Sequence, residues 1–288
     1  MDEKLDRLLN RAEQLLERFE QLLPPAAGAP DWNAAAAFRW RRQGRGGRLQ
    51  PIRHPHRLRL ADLLCIDAQK AEIERNTRQF VHGLPANNVL LWGSRGTGKS
   101  SLIKAILNEY APQGLRLIEV DKNDLVDLSD IIEHVYGRPE RFILFCDDLS
   151  FEAHEPGYKE LKAMLDGSVA AMPENVLIYA TSNRRHLLPE YFSENAEARR
   201  VGDEIHPGEA VEEKISLSER FGLWASFYPF SQDEYLAIVN HWLARLQVSV
   251  TDDEAVRKAA LQWALARGSR SGRVAWQFAR DWAGRSRL

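Results

Sequence analysis

Apolar positions follow three different rhythms along the chain. Leu5, Leu9, Ala12, Leu16, Phe19 and Leu23 recur at alternating steps of four and three with charges between them. That spacing predicts an amphipathic helix over residues 2–23, ended by Pro24-Pro25. About three heptads make a short coiled coil, so the helix is expected to pack on the protein's own body, with self-association as the alternative. Residues 25–60 then read as a Pro/Ala-rich linker followed by an arginine-rich arm. From residue 61 short apolar runs alternate with helical stretches: Val89 to Trp92, Leu115 to Val120, Phe142 to Cys146, Val176 to Ala180, and Leu223 to Phe227. Five such runs predict an α/β domain over 61–230, a parallel five-stranded sheet flanked by helices. Beyond residue 230 the strand pattern stops. Ser231-Gln232-Asp233-Glu234 and Thr251-Asp252-Asp253-Glu254 read as capping boxes before helical periodicity, and Ser271 as the cap of a third helix running through Trp282. A small all-helical domain over 231–288 is therefore expected.

Candidate chemistry begins where the first of these strands ends. Gly93-Ser94-Arg95-Gly96-Thr97-Gly98-Lys99-Ser100 is a complete phosphate-binding loop between a buried strand and a helix that starts near Ser101. Glycines at 93, 96 and 98 let the backbone turn through positive φ, so that successive N–H groups point at phosphate oxygens. Lys99 supplies a mobile point charge for the β and γ phosphates. The Ser100 hydroxyl suits a bridging Mg²⁺, and the dipole of the following helix adds to the field. The residue types predict binding of a nucleoside triphosphate, with ATP and Mg²⁺ as cofactors.

Two later strands end in polar groups. Phe142-Ile143-Leu144-Phe145-Cys146 runs into Asp147-Asp148, and the carboxyl ends of parallel strands open onto the ligand crevice. Asp147 is expected to hold the metal with Ser100, and Asp148 to orient or deprotonate the attacking water. Val176-Leu177-Ile178-Tyr179-Ala180-Thr181-Ser182 ends at Asn183, whose amide can meet both the γ phosphate and that water, or can simply begin a turn.

Composition narrows the setting. A net charge of −2 and a sequence pI near 6.5 leave no bulk field to recruit nucleic acid or membrane. Charge is instead local. Between Asp31 and Asp62 there is no acidic residue, while Arg39, Arg41, Arg42, Arg45, Arg48, Arg53, Arg57 and Arg59 gather around Phe38 and Trp40. Such a segment suits nucleic-acid phosphates and bases, or docking on an acidic surface of its own fold. Cys65 and Cys146 lie far apart without metal-ligand spacing, as in a reduced cytoplasmic protein, and no apolar run reaches membrane-spanning length. The stretch Ser193 to Lys214, with seven acids, reads as a partner-contacting insertion or an exposed loop.

The ordered motifs GSRGTGKS, FILFCDD, IYATSN, LSERFG and GSRSGRVAWQF resemble the AAA+ ATPase module. Their wider wording, such as NNVLLWGSRGTGKSSL and IHPGEAVEEKISLSERFGLW, is similar to an uncharacterised bacterial family of AAA+ ATP-binding proteins, the domain of unknown function 815. The resemblance spans nearly the whole chain. It implies that Arg220 is an arginine finger reaching a neighbouring subunit's γ phosphate, and hence a homo-oligomer. It also implies a lid sensor arginine at Arg273, with Arg270 as the other candidate, and adenine-bordering backbone near Cys65 and Ile66. Most such hydrolases carry glutamate where this chain has Asp148; helicase-loader and transposition-helper relatives share the aspartate, which implies slow hydrolysis, unless Glu152 substitutes.

The leading expectation is an ATPase that remodels or loads a macromolecular partner. A slow ATP-controlled nucleic-acid-binding switch using residues 39–59 is the alternative, and a non-hydrolysing scaffold a third. A small-molecule kinase would give the sensor and finger motifs no role. A GTPase is disfavoured because Asp121-Lys122-Asn123-Asp124 has the wrong order to read guanine.

Overall fold

A computed structural model describes residue 11 and residues 30–43, 46–151, 155–167, 172–185, 187, 199–201, 204–206, 217–248 and 252–287. Apart from Arg11, which is helical, the helix expected over 2–23 lies outside the described residues, as do Glu152 and most of the stretch 193–214. Residues 33–288 form one compact unit and residues 1–32 a second.

In the larger unit the elements run β1 (Ala37–Gln43), β2 (Gly46–Pro51), α1 (Asp67–Val81), β3 (Val89–Gly93), α2 (Lys99–Tyr110), β4 (Leu115–Glu119), α3 (Leu128–Val135), β5 (Arg141–Cys146), α4 (Pro156–Asp166) and β6 (Val176–Ser182). A two-stranded ribbon of β7 (Arg199–Val201) and β8 (Glu204–His206) precedes β9 (Leu223–Phe227), and α5 (Gln232–Arg245), α6 (Asp253–Ala266) and α7 (Gly272–Arg285) close the chain. The main sheet has seven strands in the order β2-β1-β4-β5-β6-β3-β9, parallel throughout except for the β1–β2 pair. All seven residues of β6 are buried, as expected of a central parallel strand covered on both faces.

The five expected strands are the inner and far-edge members of this sheet. The two additional strands correct the reading of residues 39–59 as an arm. Phe38 and Trp40, 0% and 1% exposed, point into the core from β1, and β1 adds in parallel to β4. The Trp40 indole N–H donates to Asp127 Oδ2 at 3.0 Å. Gly47 on β2 lies where any side chain would strike that indole: a Cβ there would stand 2.1 Å from Trp40 Cζ2. Arg39 pairs with Glu119 at 2.6 Å, Arg42 lies 3.7 Å from Asp127, and Arg59 pairs with Asp62 at 3.1 Å. Three of the eight arginines, Arg39, Arg42 and Arg59, thus neutralise carboxylates of their own fold, the second of the two uses expected for this segment. Sequence periodicity missed the hairpin because the alternation Phe38-Arg39-Trp40 stops at Arg41-Arg42-Gln43 and β2 offers Leu49 as its one buried apolar residue.

Helical details follow the capping rules with two shifts. Ser231 makes the full capping box with Glu234. The next helix is capped one residue later than expected, by Asp252, whose side chain accepts from Ala255 N at 2.9 Å. Ser271 caps α7, which continues to Arg285, three residues past the expected end at Trp282. Helix α1 is fixed to the sheet by a buried polar knot. Asn76 Nδ2 donates to the Tyr179 hydroxyl at 3.0 Å, and Thr77 Oγ1 lies 2.9 Å from it; burial pushes that phenol up to about 12. Among the described residues no helix is long and apolar enough to cross a membrane.

Candidate nucleotide site

Strands β5, β6 and β3 are neighbours in the sheet, so their carboxyl ends bring three separate sequence motifs to one place. The phosphate loop leaves β3 with positive φ at Gly93 (125°), Gly96 (74°) and Gly98 (107°). Gly93 is required twice over. Besides its φ, a Cβ there would lie 2.0 Å from the Phe227 carbonyl oxygen, which accepts the Ser94 N–H at 2.9 Å and ties the loop to β9. Helix α2 then buries Leu102, Ile103, Ile106 and Leu107 under the sheet, which fixes the direction of its N-terminus.

Lys99 is only 7% exposed. Its Nζ donates to Gly93 O and Ser94 O, both at 2.7 Å, and to Asn183 Oδ1 at 3.2 Å. Burial pushes its ammonium down from the ordinary lysine value; Asp148 and Asp147 oppose that push, while Arg273 and Arg95 add to it. Ser100 Oγ donates to Asp147 Oδ1 at 2.5 Å. Asn183 Nδ2 donates to Asp148 Oδ1, so one amide joins the lysine to the second carboxylate. Thr97 Oγ1 donates to Ser94 O at 2.7 Å and stiffens the loop. Ser100 and Asp147 together offer hydroxyl and carboxylate oxygen, the hard donor set that Mg²⁺ takes alongside water and phosphate. The residues present fit the metal and a triphosphate tail.

The helical segment closes the other side. Arg273 N donates to Gly96 O at 3.3 Å, and a Cβ on Gly96 would meet Ser271 Oγ at 2.9 Å, so the start of α7 rests on the loop tip. The space between is a cleft of about 1130 Å³. Arg95 through Ser101 line it with Asp147, Asp148, Thr181, Asn183 and Arg273. Its opposite wall is apolar, built from Leu64, Ile66, Ile238, Trp242 and Trp276, the two indoles meeting edge to face at 4.6 Å between centroids.

Most expected site residues are therefore together. Arg273 lines the cleft and Arg270 does not. Ile66 lines it, whereas Cys65, at φ 61°, turns away with its thiol 4.0 Å from Glu234 O. Arg220 does not line it either; its Nε is paired with Asp166 at the end of α4. Among the described residues no cluster of His, Cys, Asp and Glu offers another metal site.

Sequence reasoning missed two parts. Thr181 lies on β6 two residues before Asn183, which follows the strand end, and the polar triplet Thr181-Ser182-Asn183 was the signal in the sequence. The tryptophans of the apolar wall come from different helices, and no spacing rule could have joined them.

A phosphate loop on β3, paired carboxylates after β5, an amide after β6 and a helical cap bearing an arginine are the parts of a AAA+ P-loop fold. Solved structures share this fold. The Thermotoga maritima RuvB Holliday junction branch migration motor matches with a TM-score of 0.50 at 16% identity, over 74% of this chain and 60% of that one. Two variants of the same motor match at 0.52 with 16% identity and 0.51 with 17% identity, each over 77% of this chain and 63% of the other. The chain thus spans less than two thirds of the motor's length. No curated protein matches. Residues 33–286 match the family described as "Protein of unknown function (DUF815)", and the chain belongs to that family.

Proposed function

We propose that the protein binds Mg·ATP in this cleft, hydrolyses it between subunits of a homo-oligomer, and uses the cycle to remodel or load a macromolecular partner. The observation that carries the reading is the meeting of Lys99, Ser100, Asp147, Asp148 and Asn183 within one hydrogen-bonded cluster facing the Gly96–Arg273 contact. Magnesium held by Ser100 and Asp147 would neutralise charge on the β and γ phosphates. Lys99 moves from the loop carbonyls to phosphate oxygens. Asp148 accepts the proton of the attacking water once Asn183 releases it, and Asn183 then orients that water. Aspartate is one methylene shorter than the glutamate more common at this position, which favours slow turnover.

Arg220 is proposed as the finger serving a neighbouring copy. Its distance from its own cleft lining and its anchoring by Asp166 support that role, since a guanidinium aimed elsewhere at rest needs a second copy's phosphate to act on. Arg273 is the proposed sensor within the same chain. Two free cysteines, one of them fully buried with its thiol pushed up to about 12, suit the reducing cytoplasm.

The test is ATP turnover by the purified protein against enzyme concentration, with Lys99→Ala and Asp148→Asn as controls. Arg220→Ala should cost about a thousand-fold in rate while leaving ATP binding intact. Concentration-independent turnover by a monomer, unaffected by Arg220→Ala, would refute the assembly mechanism. Lack of ATP turnover in the folded protein would refute hydrolysis altogether.

One observation favours a second reading, a nucleotide-controlled switch that grips nucleic acid. Arg41 and Arg48 face each other across the β1–β2 ladder, both exposed, and neither forms an ion pair among the described residues. Like charges directly opposite in a sheet repel, so an external polyanion would relieve them. Binding to single- or double-stranded DNA that weakens steeply with salt and disappears in Arg41→Gln/Arg48→Gln supports this reading; no binding at low salt discards it.

A further inference from the structure

Both aspartates of the site are hydrogen-bonded to one side chain, Asp147 through its carboxylate and Asp148 through its backbone N–H. Asp148 is one of three non-glycine residues at positive φ among the described residues, at 53°. That left-handed conformation is uncommon for a side-chain-bearing residue and persists only where its surroundings fix it. The fixing residue is Thr181. Its Oγ1 accepts the Asp148 N–H at 2.9 Å and donates its own proton to Asp147 Oδ1 at 2.6 Å. Its backbone carbonyl accepts the Leu149 N–H at 2.6 Å. Three consecutive residues after β5 are thereby fastened to one residue of β6.

The sheet register explains the geometry. Cys146 pairs with Ala180, so the next residue on each strand, Asp147 and Thr181, come side by side just past the last pair. Thr181 is 1% exposed and therefore held by packing as well as by its hydrogen bonds. Its hydroxyl has one proton, and that proton is committed to Asp147 because the other partner is itself a donor. Asp147 Oδ1 thus receives two hydroxyls, from Thr181 on one side and from Ser100 on the other. With its rotation set by Thr181, the carboxylate would keep its orientation if the Ser100 hydroxyl left it for a bound Mg²⁺.

We infer that Thr181 is a positioning residue of the hydrolytic site, orienting Asp147 for Mg²⁺ and holding the backbone of Asp148 in the conformation that aims its carboxylate at the attacking water. This rests on the proposed ATPase reading but differs from the role of Asn183, which faces the cleft as a donor and acceptor. A carboxylate that loses such an outer partner typically loses about 10- to 100-fold in metal affinity or activity.

The experiment compares wild type, Thr181→Val and Thr181→Ser by three measurements. Fluorescent ADP affinity is measured with EDTA and with graded Mg²⁺, exchange of the Asp148 amide is followed in the nucleotide-free protein, and kcat and KM for Mg·ATP are determined. Val keeps the shape and removes the hydroxyl; Ser restores it. The expected result is unchanged ADP affinity in EDTA for all three, with Thr181→Val alone showing a Mg²⁺ requirement raised about ten-fold or more, faster Asp148 exchange, and kcat lowered about 10- to 100-fold with KM little changed. If Thr181→Val does not fold, Thr181→Ala against Thr181→Ser makes the same comparison. Wild-type Mg²⁺ dependence and exchange in the variant lacking the hydroxyl would overturn the inference, as would a serine variant as impaired as the valine one. A wild type without turnover would refute the ATPase reading, while the Mg²⁺ and exchange measurements would still decide the role of Thr181.

Discussion

Trp40→Phe tests whether the arginine-rich hairpin is part of the core. Trp40 is 1% exposed, and its indole N–H donates to Asp127 Oδ2 at 3.0 Å, with Asp127 itself 8% exposed. Phenylalanine keeps an aromatic ring there but has no donor. The lost hydrogen bond to a charged acceptor is worth about 1.5–3 kcal/mol, and the smaller ring leaves a void worth about 1 kcal/mol. The sum, roughly 2.5–4 kcal/mol, is about two to three powers of ten in the folding equilibrium. Urea denaturation followed by circular dichroism measures it. A cycle with Asp127→Ala, which removes the acceptor, then isolates the pair, and a coupling of about 1 kcal/mol or more is expected between directly bonded residues. On a free arm the same substitution would fall within about 0.5 kcal/mol, with no coupling. That result would refute the integration of β1 and β2 into the sheet.

Other outcomes follow from the same geometry. Gly93→Ala must leave a positive φ and move the Phe227 carbonyl, so it should cost about 1–3 kcal/mol from each source and abolish ATP binding in calorimetry; wild-type affinity would contradict the loop geometry. Asp62 sits beneath α5, where burial pushes its carboxyl up, yet hydrogen bonds from Arg59 and the charge of Arg245 outweigh that push and hold it below the usual aspartate value. Its stabilisation is therefore complete above the unfolded value of about 3.9 and lost as pH falls through the lower folded one. Melting temperatures of wild type and Asp62→Asn should differ by a steady gap above about pH 5 that narrows as pH falls below about 4 and closes below the lowered folded value; a gap independent of pH would show that the carboxylate charge contributes nothing. Arg220→Ala should leave the melting temperature of the isolated chain within a few degrees, because a half-exposed pair with Asp166 contributes little, while turnover of the assembled protein collapses.

The linear sequence determined the parts of the site that are local. Gly93 to Ser100 needs only its own backbone freedom and the helix that follows, and Asp147-Asp148 and Asn183 are marked by their places at the ends of apolar runs. Strand identity was equally legible in β3, β5 and β6, where burial writes itself as a nearly unbroken apolar run, and in β4 and β9, where apolar residues still dominate a short segment. Pairing was not. The arginine-rich segment left open an outside polyanion or an acidic surface of its own fold, and only the packing of β1 on β4 set Glu119 and Asp127, both distant in sequence, beside Arg39 and Arg42. Likewise Thr181 became a support for two carboxylates only when the β5–β6 register set it beside Asp147, and Trp242 and Trp276 became one wall only when two helices crossed. Residue type and spacing encode what a segment can do by itself. Which groups end up within hydrogen-bonding reach depends on how separate strands and helices pack, and only the tertiary structure decides that.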